Sequence, residues 1–156
     1  MSDKYFFKQE EYDELMAQLK EMKGPEKTSV QKAISSARAQ GDLSENAEYH
    51  ASRERLSMLM TKIQDLEDKL ANSEVYDPAD RPKGQVFVGS KVVIENVDSG
   101  VVLEGEVVSM PMFKSEMMEI STKSPVGKAI LGKSVGDEVT VESERGTNRW
   151  RVTKVE

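Results

Sequence analysis

Residues 49–70 read YHASRERLSMLMTKIQDLEDKL. Within them Tyr49, Ser52, Leu56, Leu59, Ile63, Leu66 and Leu70 recur in alternating steps of three and four, the period of a coiled-coil seam. Arg53, Glu54, Lys62, Asp65, Glu67, Asp68 and Lys69 fall between them and suit a solvated face. The stretch reads as one amphipathic helix, on the order of 40 Å long by its rise per residue, whose seam needs a second helix to cover it.

The partner lies upstream. From Phe7 to about Glu74 the only Gly and Pro are Gly24, Pro25 and Gly41, set among Glu, Lys, Leu, Met, Ala and Gln, a helix-forming composition. Tyr12, Leu15, Leu19 and Met22 form one apolar series, and Val30, Ala33, Ile34 and Ala37 another. The step from Met22 to Val30 is eight residues instead of seven, with Gly24-Pro25 inside it, which predicts a kink or a stutter. Gln40-Gly41-Asp42-Leu43-Ser44 separates the two runs. With Gly41 as a helix C-terminal residue and Asp42 or Ser44 as the next N-cap, it predicts a tight antiparallel αα-hairpin.

Beyond Glu74 the composition changes. Residues 76–84, YDPADRPKG, hold two Pro and a Gly and read as a linker. β-like segments follow at 86–88, 91–97, 101–110, 117–122, 138–142 and 149–155, with turn signals at Gly89-Ser90, Asp98-Ser99-Gly100 and Arg145-Gly146. Residues 126–131 carry apolar side chains at helical spacing and stop at Gly132. The expected chain is α+β: a coiled-coil hairpin over 1–75, a linker over 76–84, and an antiparallel sheet with one short helix over 85–156.

The chain has 156 residues, 22 Lys+Arg against 28 Asp+Glu, no Cys and one His. Disulfide frameworks and Cys-based zinc sites are excluded, and a His-rich metal site is disfavoured. No apolar run approaches the roughly 18 residues of a membrane span, so a soluble, cytoplasmic protein is expected. A net charge of -6 speaks against a simple basic sleeve for nucleic acid. There is no P-loop, nucleophile elbow, Gly-rich dinucleotide loop or HExxH.

One segment is over-specified for structure alone: Gly41-Asp42-Leu43-Ser44-Glu45-Asn46-Ala47-Glu48-Tyr49-His50 at the hairpin tip. Asp42 and Glu45, three apart, match a capping box, in which Asp42 accepts a backbone N–H and Glu45 reaches back. They also match a weak Mg²⁺ site, because that ion is commonly held by one or two carboxylates with waters and phosphates completing the shell. Tyr49 is expected to pack in the seam, Trp150 in the core, and His50 to order the tip or sit on the helix face. Arg38, Arg53 and Arg55 read either as solvated charges or as a small basic spot for RNA.

The tip segment, with Ala37-Arg38 before it and Ala51 and Arg53-Glu54 after, resembles the hairpin-tip signature of the Gre family of bacterial transcript cleavage factors, GreA type. Ser124-Pro125-Val126-Gly127-Lys128-Ala129-Ile130-Leu131-Gly132-Lys133, followed by Val135-Gly136-Asp137, is similar to that family's second motif. Both motifs stand in the family's order, so the resemblance spans the chain. It implies that the C-terminal domain is FKBP-like and docks at the rim of the RNA polymerase secondary channel, while the hairpin enters the channel. Asp42 and Glu45 would then help hold a Mg²⁺ shared with the polymerase, which cleaves the 3′ end of a backtracked nascent RNA so that elongation restarts. On this reading the chain is no enzyme itself and holds no cofactor tightly; it is monomeric when free and takes part in transcription regulation and DNA binding. Leu43, Ser44 and Asn46 would shape the tip, Arg38 and Arg53 would contact RNA or channel wall, and Ser124 and Pro125 the polymerase rim.

Two segments depart from the family pattern. The Thr-x-x-Gly usual near the start of the first helix is absent from 7–12, and the Met-rich stretch 110–118 matches no family pattern. Two other functions stay open at this stage. One is a Gre-like inhibitor that plugs the secondary channel, which a more crowded acidic tip would favour. The other is a prolyl isomerase or chaperone, for which Phe87, Phe113, Trp150 and Tyr76 are the available aromatics.

Overall fold

The computed structural model describes residues 4–41, 46–113 and 116–156. It divides into two compact units, Gln9–Ser73 and Met1–Lys8 together with Glu74–Glu156.

The first unit is the hairpin. Helix α1 (Gln9–Glu21) runs through a π-helical turn, Met22–Glu26, into α2 (Lys27–Arg38), and α3 (Ala47–Ala71) returns against them. The π turn is the stutter that the eight-residue step predicts. The Lys27 N–H donates to Met22 O, five residues back, and this wider loop absorbs the extra residue. It also takes in Pro25, which has no N–H to give and whose ring would press on the carbonyl four residues earlier in a regular helix. On α3 the seam is buried as its period requires: Tyr49, Ser52, Leu59, Ile63, Leu66 and Leu70 face inward, with Leu56 half-buried. Leu15, Leu19 and Ala37 meet them from α1 and α2. Each buried Leu or Ile contributes roughly 1.5–3 kcal/mol.

The second unit is a five-stranded sheet in the order β5-β4-β3-β7-β6, built from β3 (Lys91–Asn96), β4 (Val102–Val108), β5 (Met118–Ser121), β6 (Glu138–Ser143) and β7 (Gly146–Val155). Alternation sends Val92, Ile94, Val107, Ile120, Trp150 and Val152 to one core, which Ile130 of α4 (Pro125–Ile130) completes. Trp150 is thus a core residue, as its strand pattern suggests.

Four sequence expectations change here. The sheet is mixed, because β5 runs parallel to β4, with Gly105 opposite Met118 and Val108 opposite Ser121. A tight turn after β4 would have made its neighbour antiparallel. Residues 86–88 are no sheet strand; Val86 and Val88 are buried, but the Val86 N–H and C=O bond to Lys133 and Gly132.

The other two changes concern the boundaries. The first eight residues group with the C-terminal unit instead of the hairpin. Strand β1 (Tyr5–Phe7) pairs with β2 (Ser73–Val75), the Phe6 N–H donates to Ser109 Oγ at 2.7 Å, and Phe7 is buried. The expected linker is likewise built into this unit. Asp77 caps a short turn at Pro78–Asp80, and Arg81 donates to Pro78 O and Glu156 O.

Candidate functional site

Helix α2 ends at Arg38, and the chain leaves it through Gly41, whose φ of +133° suits a residue without Cβ. Asp42, Leu43, Ser44 and Glu45 lie outside the described residues. The chain re-enters at Asn46, and Asn46 is the N-cap of α3: its Oδ1 accepts the Tyr49 N–H at 3.0 Å. The capping role expected of Asp42 or Ser44 therefore belongs to Asn46. Sequence reading missed this because three capping-type residues stand within five positions. The same side chain donates through Nδ2 to Ala37 O at 2.6 Å, which ties the start of α3 to the last turn of α2.

One turn into α3, Tyr49 is buried as expected, but it also organises charge. The Arg38 guanidinium lies 5.9 Å from its ring centroid and that of Arg53 5.6 Å, both within cation–π range. A hydrogen bond from Arg38 to the phenol, with the Arg53 charge beside it, holds the Tyr49 pKa below its ordinary 10.0. Helical periodicity places Arg53 four residues from Tyr49, and the hairpin brings Arg38 to the same ring. Two guanidinium groups from different helices thus share one aromatic, a basic spot that the chain's -6 conceals. The Arg pair, Tyr49, Leu56 and Met60 line a groove of about 840 Å³ beside the hairpin end. His50 is exposed and meets the Tyr49 ring edge-on at 5.6 Å, which keeps it on the helix face. Arg55 donates to the buried Ser52 Oγ at 3.1 Å, so it has a structural partner.

In the C-terminal unit Ser124 caps α4. Its Oγ accepts the Gly127 N–H at 3.1 Å and donates to Ser121 O at 2.6 Å. Pro125 follows at the first helical position and is exposed. A Cβ on Gly127 would strike Ser121 O, so only glycine fits. Of the aromatics weighed for prolyl isomerisation, Tyr76 and Phe87 meet edge-on at 6.2 Å. Phe6 and Phe87 line a hollow of about 290 Å³ with Lys4 and Lys128, whereas Trp150 is in the core and Phe113 faces solvent. Among the described residues no group of three or more His, Asp or Glu is placed to hold a metal ion.

Two family models cover the chain: "Transcription elongation factor, N-terminal" matches residues 6–75 and "Transcription elongation factor, GreA/GreB, C-term" matches 81–156. The chain belongs to the GreA/GreB family. Its function is that of a transcription elongation and transcript cleavage factor. Transcription elongation factor GreA of Chlorobaculum parvum is 37% identical over 156 residues, covering 99% of this chain and 98% of the relative. The protein of the same name from Thermodesulfovibrio yellowstonii is 37% identical over 155 residues, with 99% and 98% covered. Among solved structures, Thermus thermophilus GreA factor homolog 1 (Gfh1) superposes with a TM-score of 0.47 at 24% identity, over 98% of this chain and 99% of that one.

Proposed function

We propose that this GreA/GreB-family factor stimulates RNA cleavage by RNA polymerase in trans, by carrying the Asp42 and Glu45 carboxylates into the secondary channel. The observation that supports this is the bond from Asn46 Nδ2 to Ala37 O. It joins the start of α3 to the last turn of α2, on either side of the segment that holds Asp42 and Glu45, at the terminus of a helix about 37 Å long by its rise per residue. Capping of α3 is already met by Asn46, so the two acidic residues are spared for another task.

Asp42 and Glu45 offer hard oxygen donors of the kind Mg²⁺ takes. Two carboxylates are an incomplete set, which suits an ion whose other ligands come from the polymerase and the RNA. Bound there, the ion would supply activation of a water and stabilisation of charge on the displaced oxygen. The chain's own residues hold and orient. Arg38 and Arg53, fixed over Tyr49, face the phosphates of the backtracked 3′ end, while Leu43 and Ser44 shape the tip and Ser124-Pro125 meets the channel rim. The factor brings carboxylates and the polymerase performs the hydrolysis, so no tightly held cofactor is called for; the protein acts as a cytoplasmic monomer until it docks.

Arrested elongation complexes carrying 3′-labelled RNA test this reading. Wild type is expected to release a short 3′ fragment and restart elongation. Asp42→Asn and Glu45→Gln are expected to abolish release while still competing with wild type for polymerase. Full cleavage by both variants overturns the mechanism. Slowed nucleotide addition by wild type with no fragment released would assign the chain as an inhibitor instead.

A further inference from the structure

The proposed function leaves one sequence feature unused, the segment 110–118, which holds four of the chain's nine Met. Lys114 and Ser115 lie outside the described residues, but the residues beside them have specific geometry. Phe113 is 85% exposed, more than any other large apolar residue described. Its φ is +55°, the only positive value at a non-glycine among the described residues, in a region that bulky side chains rarely adopt. Glu119 of β5 holds it there. Oε1 accepts the Phe113 N–H at 2.7 Å and Oε2 accepts the Met112 N–H at 3.0 Å. Both oxygens of one carboxylate are thus committed to two successive backbone donors, a charge-assisted arrangement. Its product is an aromatic ring held in water, which gains the fold no buried area. Backbone strain of this kind gathers at ligand clamps and binding sites.

We propose that Phe113 is an aromatic anchor, presented by Glu119, that enters an apolar pocket on RNA polymerase next to the contact made by Ser124-Pro125. This rests on the polymerase reading above. The choice of partner follows from continuity along the chain. Glu119 lies in β5, and Ser121, at the end of that strand, accepts the Ser124 hydroxyl at 2.6 Å. From Glu119 to Ser124 the backbone spans at most ~18 Å, so a single partner face of ordinary interface size covers both. Aromatic anchors seated in pockets carry much of the energy of such faces.

The test titrates fluorescently labelled full-length protein with bacterial core RNA polymerase and measures cleavage at saturating factor. Phe113→Ala and Phe113→Ser are expected to raise Kd about tenfold or more, the scale of an aromatic hot spot, with maximal cleavage unchanged. Phe113→Leu should recover part of the affinity. Glu119→Gln, which keeps the ring but loses the carboxylate, should weaken binding by roughly threefold. Because Phe113 is exposed, its variants should melt like wild type. A Phe113→Ala Kd within about twofold of wild type overturns the anchor. So does a Phe113-dependent self-association with polymerase affinity unchanged, since a second copy would then be the occupant. Failure of wild type to bind polymerase is a separate result that overturns the proposed function and this anchor together.

Discussion

Asn46 Nδ2 lies 2.6 Å from Ala37 O while Asn46 Oδ1 lies 3.0 Å from Tyr49 N, so one side chain caps α3 and pins it to α2. The two bonds can be separated by substitution. Asn46→Asp keeps an acceptor for the Tyr49 N–H and loses the donor to Ala37, whereas Asn46→Ala loses both. Loss of an N-cap costs about 1 kcal/mol, and loss of a part-buried hydrogen bond about as much again. Urea unfolding should therefore rank wild type, Asn46→Asp and Asn46→Ala in falling order. If the clamp also positions the tip, Asn46→Asp should lower maximal cleavage by more than its polymerase affinity. Equal stability of wild type and Asn46→Asp would mean that the bond to Ala37 carries nothing, and equal stability of the two variants that the cap carries nothing.

Tyr49 provides a spectroscopic report on the basic spot. Its pKa is lowered because Arg38, and then Arg53, favour the phenolate. A depressed folded pKa adds stability that is complete above the unfolded value of 10.0 and is lost as pH falls through the folded one. Phenolate absorbance of wild type minus Tyr49→Phe should show a titration below that of free tyrosine, and Arg38→Ala should move it upward. An unmoved titration in Arg38→Ala would mean that the two groups do not interact.

Ser124 has a structural duty that any docking role must coexist with. Ser124→Ala removes the cap of α4 and should cost about 1 kcal/mol, while Ser124→Asp restores an acceptor for the Gly127 N–H and should recover most of it. Gly127→Ala forces a methyl onto Ser121 O and should cost roughly 1–3 kcal/mol or more. Pro125 is exposed, so Pro125→Ala should leave the melting temperature nearly unchanged and lower polymerase affinity. Calorimetry beside a polymerase titration separates the two roles.

The hairpin was legible because a seven-residue repeat has one good solution. The Leu59–Leu70 positions are buried wherever the pattern places them, and the eight-residue step predicted a kink or a stutter where the π turn stands. The basic spot was half legible: Arg53 follows from helical spacing, but Arg38 reaches Tyr49 only once the hairpin closes. The parallel β5, the three-residue strands β1 and β2 and the Glu119 clamp were not legible. Each depends on partners far away in sequence or on a backbone angle, and neither leaves a period to read. Asp42 and Glu45 lie outside the described residues, so their reading rests on the sequence motif.

The π turn gives a prediction that needs no partner. Gly24 lies inside it, has no positive φ, and a Cβ placed there meets nothing within 4 Å. Glycine in a helical segment costs roughly 0.5–1 kcal/mol relative to alanine, much of it through the freedom of the unfolded chain. Gly24→Ala should therefore stabilise the hairpin by about that amount, read as a higher urea midpoint with an unchanged slope. Pro25→Ala is the control. In a regular helix, removing an interior proline would return about 3 kcal/mol, but here the widened turn already relieves the ring, so the gain should be much smaller. A gain for Pro25→Ala as large as that figure would mean that the turn is a response forced by the proline. A small gain for Pro25→Ala together with the expected one for Gly24→Ala would assign the turn to the eight-residue step, as an insertion the hairpin carries to keep both apolar series on one seam.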